Sequence, residues 1–202
     1  MKTYWIKIIS LFALVAAVFS AALSIKPLTM ARLAGAKKEP EALNLLAPEL
    51  VGGPWINTAG SEVINLAGRR GKVTIVEFWT FACGNCLANL PAYAHWQKQF
   101  ADKNVIVIGV HTPETEGERV TADVERRVRQ LGITYPILVD RDHENWDRWQ
   151  VEAWPTVYLV DKQGRIRYRW VGELNYRNAG GETKLGRRVE QLLKEVPAKA
   201  KK

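Results

Sequence analysis

The run Val73-Thr74-Ile75-Val76-Glu77-Phe78-Trp79 leaves this chain few folds to choose from. It is β-branched and aromatic, and its apolar residues do not alternate with polar ones. As a strand it needs cover on both faces. Such strands belong to sheets whose parallel neighbours are joined by helical crossovers, and the following residues supply them. The spacing of Leu87, Leu90 and Ala94 predicts a helix from about Cys83 to Phe100, with Pro91 expected to kink it. Val105 to Val110 reads as the next buried strand and His111 to Glu118 as a polar loop. Val120, Val124, Val128 and Leu131 mark an amphipathic helix.

A third strand is expected over Pro136 to Val139, then a short helix over Glu144 to Val151, then a strand from Thr156 to Val160 opened by Pro155. Asp161-Lys162-Gln163-Gly164 is a turn into a last strand, Ile166 to Val171. Its flanking Arg165, Arg167 and Arg169 fall on one side, as suits a sheet edge. Leu185, Val189, Leu192, Leu193 and Val196 form the stripe of a final helix, and Ser61 to Leu66 predicts a short early strand or hairpin. The implied class is α/β: a central mixed sheet with helices on both faces and a C-terminal β-hairpin plus helix.

Upstream, Lys2 and Lys7 precede an uncharged stretch over residues 8–25. This is the pattern of a signal peptide or a retained signal anchor, and either would export the domain downstream of it. Residues 26–54 hold four prolines and three glycines and read as a linker. The expected domain is 55–196, with a basic tail over 197–202. The formal net charge is +8, but the basic residues are scattered, with no aromatic-interleaved stripe of the kind that reads nucleic acid. The surface favours an anionic partner or membrane face instead.

The chain has two cysteines, Cys83-Gly84-Asn85-Cys86. A disulfide-stapled scaffold carries more. The pair sits where a strand passes into a helix, and the first turn of a helix offers unpaired N–H groups and a partial positive charge. Both favour a thiolate, the species that attacks a disulfide. Cys83, nearer the helix end, is the expected attacking thiol and Cys86 the resolving one. A zinc site would need two further ligands and only three histidines are available; Leu87 stands where a haem-attachment motif needs histidine; and so short a loop would gain little as a structural disulfide. Glu77, flanked by Val76 and Phe78, is expected to be buried with a raised pKa.

The segment from Val76 to Cys86, with Pro91 eight residues after Cys83 and Trp154-Pro155-Thr156 downstream, resembles the thioredoxin superfamily. More narrowly it is similar to exported TlpA/ResA-type oxidoreductases and the redoxin domain of DipZ-type proteins. The resemblance implies thiol–disulfide exchange through Cys83 and Cys86. It implies a cis peptide bond before Pro155, whose backbone would pair with substrate, and a proton relay through Glu77 to the resolving cysteine. Trp79 and Trp154 are expected to flank the site and meet substrate. No cofactor is implied beyond the redox-active disulfide. The implied partners are protein disulfides and a membrane electron donor of the thiol-reductase type, with anchoring through residues 8–25. The chain departs from the family in Gly84-Asn85 and in Asn89, which stands where several relatives carry an acid.

Two other functions are open to these residues. Thr80-Phe81-Ala82-Cys83 fits the T-x-x-C part of a thiol peroxidase site, although the proline expected upstream is absent. A non-enzymatic scaffold or Cu(I) carrier could pair the C-x-x-C with His111.

Overall fold

A computed structural model describes residues 38–59 and 62–196. The elements are β1 (Glu41–Leu46), β2 (Trp55–Ile56), β3 (Val73–Trp79), α1 (Gly84–Gln99), β4 (Val105–His111), α2 (Thr121–Gln130), β5 (Ile137–Val139), α3 (Glu144–Arg148), β6 (Thr156–Val160), β7 (Arg165–Val171) and α4 (Gly181–Lys194). One seven-stranded sheet runs in the order β1-β7-β6-β3-β4-β5-β2. Strands β3, β4 and β5 are parallel, and every other pairing is antiparallel. The class is the α/β mixed sheet that the periodicity implies. The expectations on residues 1–25 and on the 197–202 tail lie outside the described residues.

Strand alternation divides β3 between two cores. Val73, Ile75 and Trp79 face a cluster that includes Tyr93 and Trp96 of α1, Val124 and Val128 of α2, and Leu185 and Val189 of α4. Val76 and Phe78 face the other side, with Leu50, Leu66, Trp149 and Tyr158. The crossovers β3-α1-β4 and β4-α2-β5 step in the same direction along the sheet, and right-handed crossovers then put both helices on one face. The second face is covered by the five-residue α3 and by irregular chain. Helix α1 continues through Pro91 as one element.

Four expectations change. The domain begins at Lys38 rather than Trp55, because β1 pairs antiparallel with β7 (Glu41 opposite Arg169, Leu46 opposite Arg165) and Leu50 is buried in the second core. For the same reason β7 is internal, and its arginines serve as partners: Arg169 pairs with Glu41 at 2.7 Å, and Arg167 with Asp161 and Glu195. The expected strand at 61–66 is absent among the described residues there. Glu49 instead accepts the Leu66 and Ala67 N–H groups and seats the turn Ala67–Arg69. Val196 lies past the end of α4 and is exposed.

Candidate active site

Cys83 is the residue just before α1, in extended conformation (φ −87°, ψ 112°), and its carbonyl accepts the N–H groups of Cys86 and Leu87 at 3.1 Å each. This geometry leaves the Cys83 side chain half-buried at the helix mouth while Cys86, one turn on, has no exposed surface. The two thiols are unlinked and close enough to share a hydrogen bond. Burial first, then that hydrogen bond and the charges of Cys83 and Glu77, push the Cys86 thiol far up; the nearby Thr80 backbone opposes the rise.

Glu77 is wholly buried on the face that α1 covers. Its Oε1 accepts from the Tyr135 hydroxyl at 3.1 Å, and its Oε2 has no partner among the described residues. Burial drives its pKa well above the usual carboxylate range, against the Tyr135 hydrogen bond. Room for the carboxyl comes from Gly109, its register partner on β4. A methyl group there would lie 2.7 Å from Glu77 Oε1, 2.5 Å from Ile137 Cδ1 and 3.1 Å from Trp79 Nε1. The polar groups packed around Glu77 and Cys86 therefore include Tyr135 and Tyr93, whose own pKa values burial raises.

Asn89 is buried and answers the question its departure from the family raised. Its Oδ1 accepts the Leu174 N–H at 2.8 Å, while its Nδ2 reaches Tyr93 Oη at 3.3 Å and the Gly172 carbonyl at 3.4 Å. An ionised acid could accept the first but not donate the others. Asn89 thus ties α1 to the turn after β7.

The Trp154–Pro155 peptide bond is cis. Phe78 pairs with Thr156, so the start of β6 lies beside the end of β3, from which the chain leads to Cys83. The Pro155 carbonyl is already taken by the Gly172 N–H at 2.7 Å; among the described residues the Trp154 backbone makes no hydrogen bond and is the group free to meet an incoming chain. Trp154 is half-buried and packs on Trp146 with ring centroids 4.1 Å apart. Trp79 does not flank the site as expected. Strand alternation turns it with Ile75 toward the helices, where it has no exposed surface and cannot touch substrate.

His111 is equally enclosed, opposite Trp79 in the register and stacked on Phe81 at 5.3 Å. Burial lowers its pKa to about 4, so the ring is neutral at neutral pH. Among the described residues no group of three or more His, Cys, Asp or Glu is placed to hold a metal ion. The residue the sequence reading passed over is Glu118. It is buried, and its Oε1 accepts the Thr80 hydroxyl and the Ala82 N–H. Its one sequence signal was the Thr115-x-x-Glu118 spacing, which here forms a capping box.

An exposed-side thiol at a helix start, a buried thiol one turn behind it and a cis-proline beside them make a thioredoxin-like dithiol site. The chain belongs to the AhpC/TSA family, whose model matches residues 46–169. It is 39% identical over 131 residues to protein DipZ of Mycobacterium bovis, which covers 64% of this chain and 19% of DipZ. The chain thus spans about a fifth of that relative's length. It is 30% identical over 150 residues to thiol-disulfide oxidoreductase YkuV of Bacillus subtilis, covering 74% of this chain and 95% of YkuV. Among solved structures, a thiol-disulfide isomerase from Corynebacterium glutamicum superposes with a TM-score of 0.62 at 26% identity, over 74% of this chain and 98% of that one.

Proposed function

We propose that this thiol–disulfide oxidoreductase works outside the cytoplasm as a reductant of protein disulfides and is itself re-reduced by a dithiol donor in the membrane. The observation that carries the reading is the unequal placement of the two thiols, one half-buried at the helix mouth and one sealed beside Glu77. Cys83, as thiolate, attacks a substrate disulfide; its S–S bond breaks, one substrate sulfur leaves as a thiolate, and Cys83 is joined to the other. The substrate backbone pairs with that of Trp154. Cys86 then gives its proton to the ionised Glu77 carboxylate, whose raised pKa suits it to hold that proton, and attacks the Cys83 sulfur. The second substrate sulfur leaves, and a Cys83–Cys86 disulfide remains. Two electrons have passed to the substrate, and an external dithiol must restore them.

Lys2 and Lys7 ahead of the uncharged, mostly apolar run over residues 8–25 support export and anchoring, and an exported compartment is one in which a reductant needs such a donor. A peroxidase reading is weaker, because the hydroxyl of the T-x-x-C threonine is turned to Glu118. The test is the reduction potential of the Cys83–Cys86 couple against glutathione, together with labelling of Cys83 in intact cells by a membrane-impermeant thiol reagent. A potential well below the glutathione poise and ready labelling are expected. A potential like that of strong oxidants, near −120 mV, would reverse the direction, and labelling only after lysis would refute export.

A further inference from the structure

Glu118 takes no part in the cycle above, yet five donors converge on it. Its Oε1 accepts the Thr80 hydroxyl and the Ala82 N–H at 3.1 Å; its Oε2 accepts the N–H groups of Glu114 and Thr115 at 3.0 Å each and the Thr115 hydroxyl at 3.2 Å. Only acceptors on both oxygens satisfy that set. A carboxylate provides them, and a carboxamide would turn its own N–H groups against donors. The two loops so joined are the one that follows β4 and the one that delivers Cys83. Thr80 is held by Glu118 through its hydroxyl, and its backbone N–H lies toward the Cys86 thiol, where it opposes the rise in that thiol's pKa. Behind it the neutral His111 ring stacks on Phe81, with Nε2 3.9 Å from Glu118 Oε1.

We propose that Glu118 is a positioning residue for the redox centre: by holding the Thr80 hydroxyl and the Ala82 N–H, it fixes the backbone that leads from β3 into Cys83 and passes the Cys86 thiol, and so governs the resolving step. The inference rests on the exchange reading and adds to it a residue that never touches substrate. A hydrogen bond to a sulfur that is about to carry charge strengthens as the charge develops, so its alignment acts on the thiolate rather than on the resting thiol. The other ionisable groups facing Cys86 are Cys83, Glu77 and Tyr93, with Tyr135 behind Glu77. Among the described residues none of them is hydrogen-bonded or ion-paired to Glu118.

The test uses the full chain with Cys83→Ser, so that Cys86 is the one thiol, and reads its alkylation rate across a pH series. Thr80→Val, Thr80→Ser and Glu118→Gln are compared with the parent. Below its pKa a thiol reacts in proportion to its thiolate fraction, and one unit of pKa is tenfold in rate. Thr80→Val and Glu118→Gln are expected to react about tenfold more slowly at each pH with the same slope, and Thr80→Ser, which keeps the hydroxyl, to match the parent. With both cysteines present, resolution of a mixed disulfide should slow by a similar factor. A staple that merely held two loops together would loosen when cut, exposing Cys86 and leaving its rate unchanged or faster; that result overturns the proposal. Should Glu118→Gln fail to fold, the Thr80 pair decides alone. Alkylation needs no substrate, so a parent protein inactive on disulfides would refute the exchange reading and leave this measurement standing.

Discussion

Gly109→Ala puts a methyl group into the space that the Glu77 carboxyl occupies. The added Cβ would lie 2.5 Å from Ile137 Cδ1 and 2.7 Å from Glu77 Oε1, against ordinary contacts of 3.4 Å and more, and 3.1 Å from Trp79 Nε1. Two side-chain tips must each retreat by roughly 1 Å in a close-packed core, and the flat Trp79 ring blocks a third direction. Overpacking of this kind costs about 1–3 kcal/mol. At about 2–4 °C per kcal/mol for a domain of this size, the melting temperature should fall by about 2–12 °C. Displacing the carboxyl from beside Cys86 should also slow resolution of a trapped mixed disulfide. The double variant Gly109→Ala/Ile137→Val separates the two effects. Removing Cδ1 relieves the shortest contact, so part of the lost stability should return beyond what Ile137→Val costs alone. The contact with Glu77 stays, so the resolution rate should not recover. Thermal unfolding followed by circular dichroism and quenched-flow analysis of resolution read both quantities. If Gly109→Ala melts within about 1 °C of the parent and resolves at the parental rate, the carboxyl does not lie over Gly109 and the relay through Glu77 loses its geometric basis.

Glu77→Gln should slow resolution at neutral pH and stabilise the fold there. Below the ordinary glutamate range, about pH 4.3, residue 77 is uncharged folded or unfolded, so the gain should vanish. It should grow as pH rises, because the unfolded parent ionises at lower pH than the folded parent, whose pKa burial raises; a melting difference that stays flat from pH 4 to pH 8 would contradict the shift. Cys86→Ser should accumulate mixed disulfides through Cys83 on non-reducing gels, and Cys83→Ser should not; trapping through Cys86 would exchange their roles. Leu50→Ala should lose about 2–5 kcal/mol in denaturant unfolding, as a core leucine does, whereas a residue in a free linker would lose almost nothing.

The interior of this fold was legible because its strands carry their burial in their composition. Val73–Trp79, Val105–His111 and Thr156–Val160 are apolar enough that no partner need be known to place them in a core. The edge strands were not legible. Glu41–Leu46 is exposed at all but one position, and what makes it a strand is its pairing with β7, more than a hundred residues away. Glu77 could be read as buried from Val76 and Phe78, but the same alternation, carried two residues further, would have taken Trp79 away from substrate. Glu118 sits in a polar loop and looks like a solvated acid. Its burial is decided by donors from two separate loops, which no local pattern records. The isolated Gly109 inside an apolar strand was the available sign of a close approach, and its meaning depended on knowing that Glu77 lies opposite.

Both outermost strands of the sheet come from the first 20 or so described residues, β1 at one edge and β2 at the other. Between Leu46 and Trp55 the backbone must therefore travel the full width of the sheet. Six inter-strand spacings of about 4.8 Å make about 29 Å, and nine residue steps reach at most about 32 Å. The strap makes this crossing with a bend at Gly52 (φ 71°), with Leu50 seated beneath it and Val51 held by Asn145 at 3.0 Å. It ties the margins of the sheet to each other. An inserted residue should be taken up at the bend, while a removed one must come out of a crossing with little chain to spare and should loosen β1 from β7 or β2 from β5, so tolerance to length change here runs in one direction.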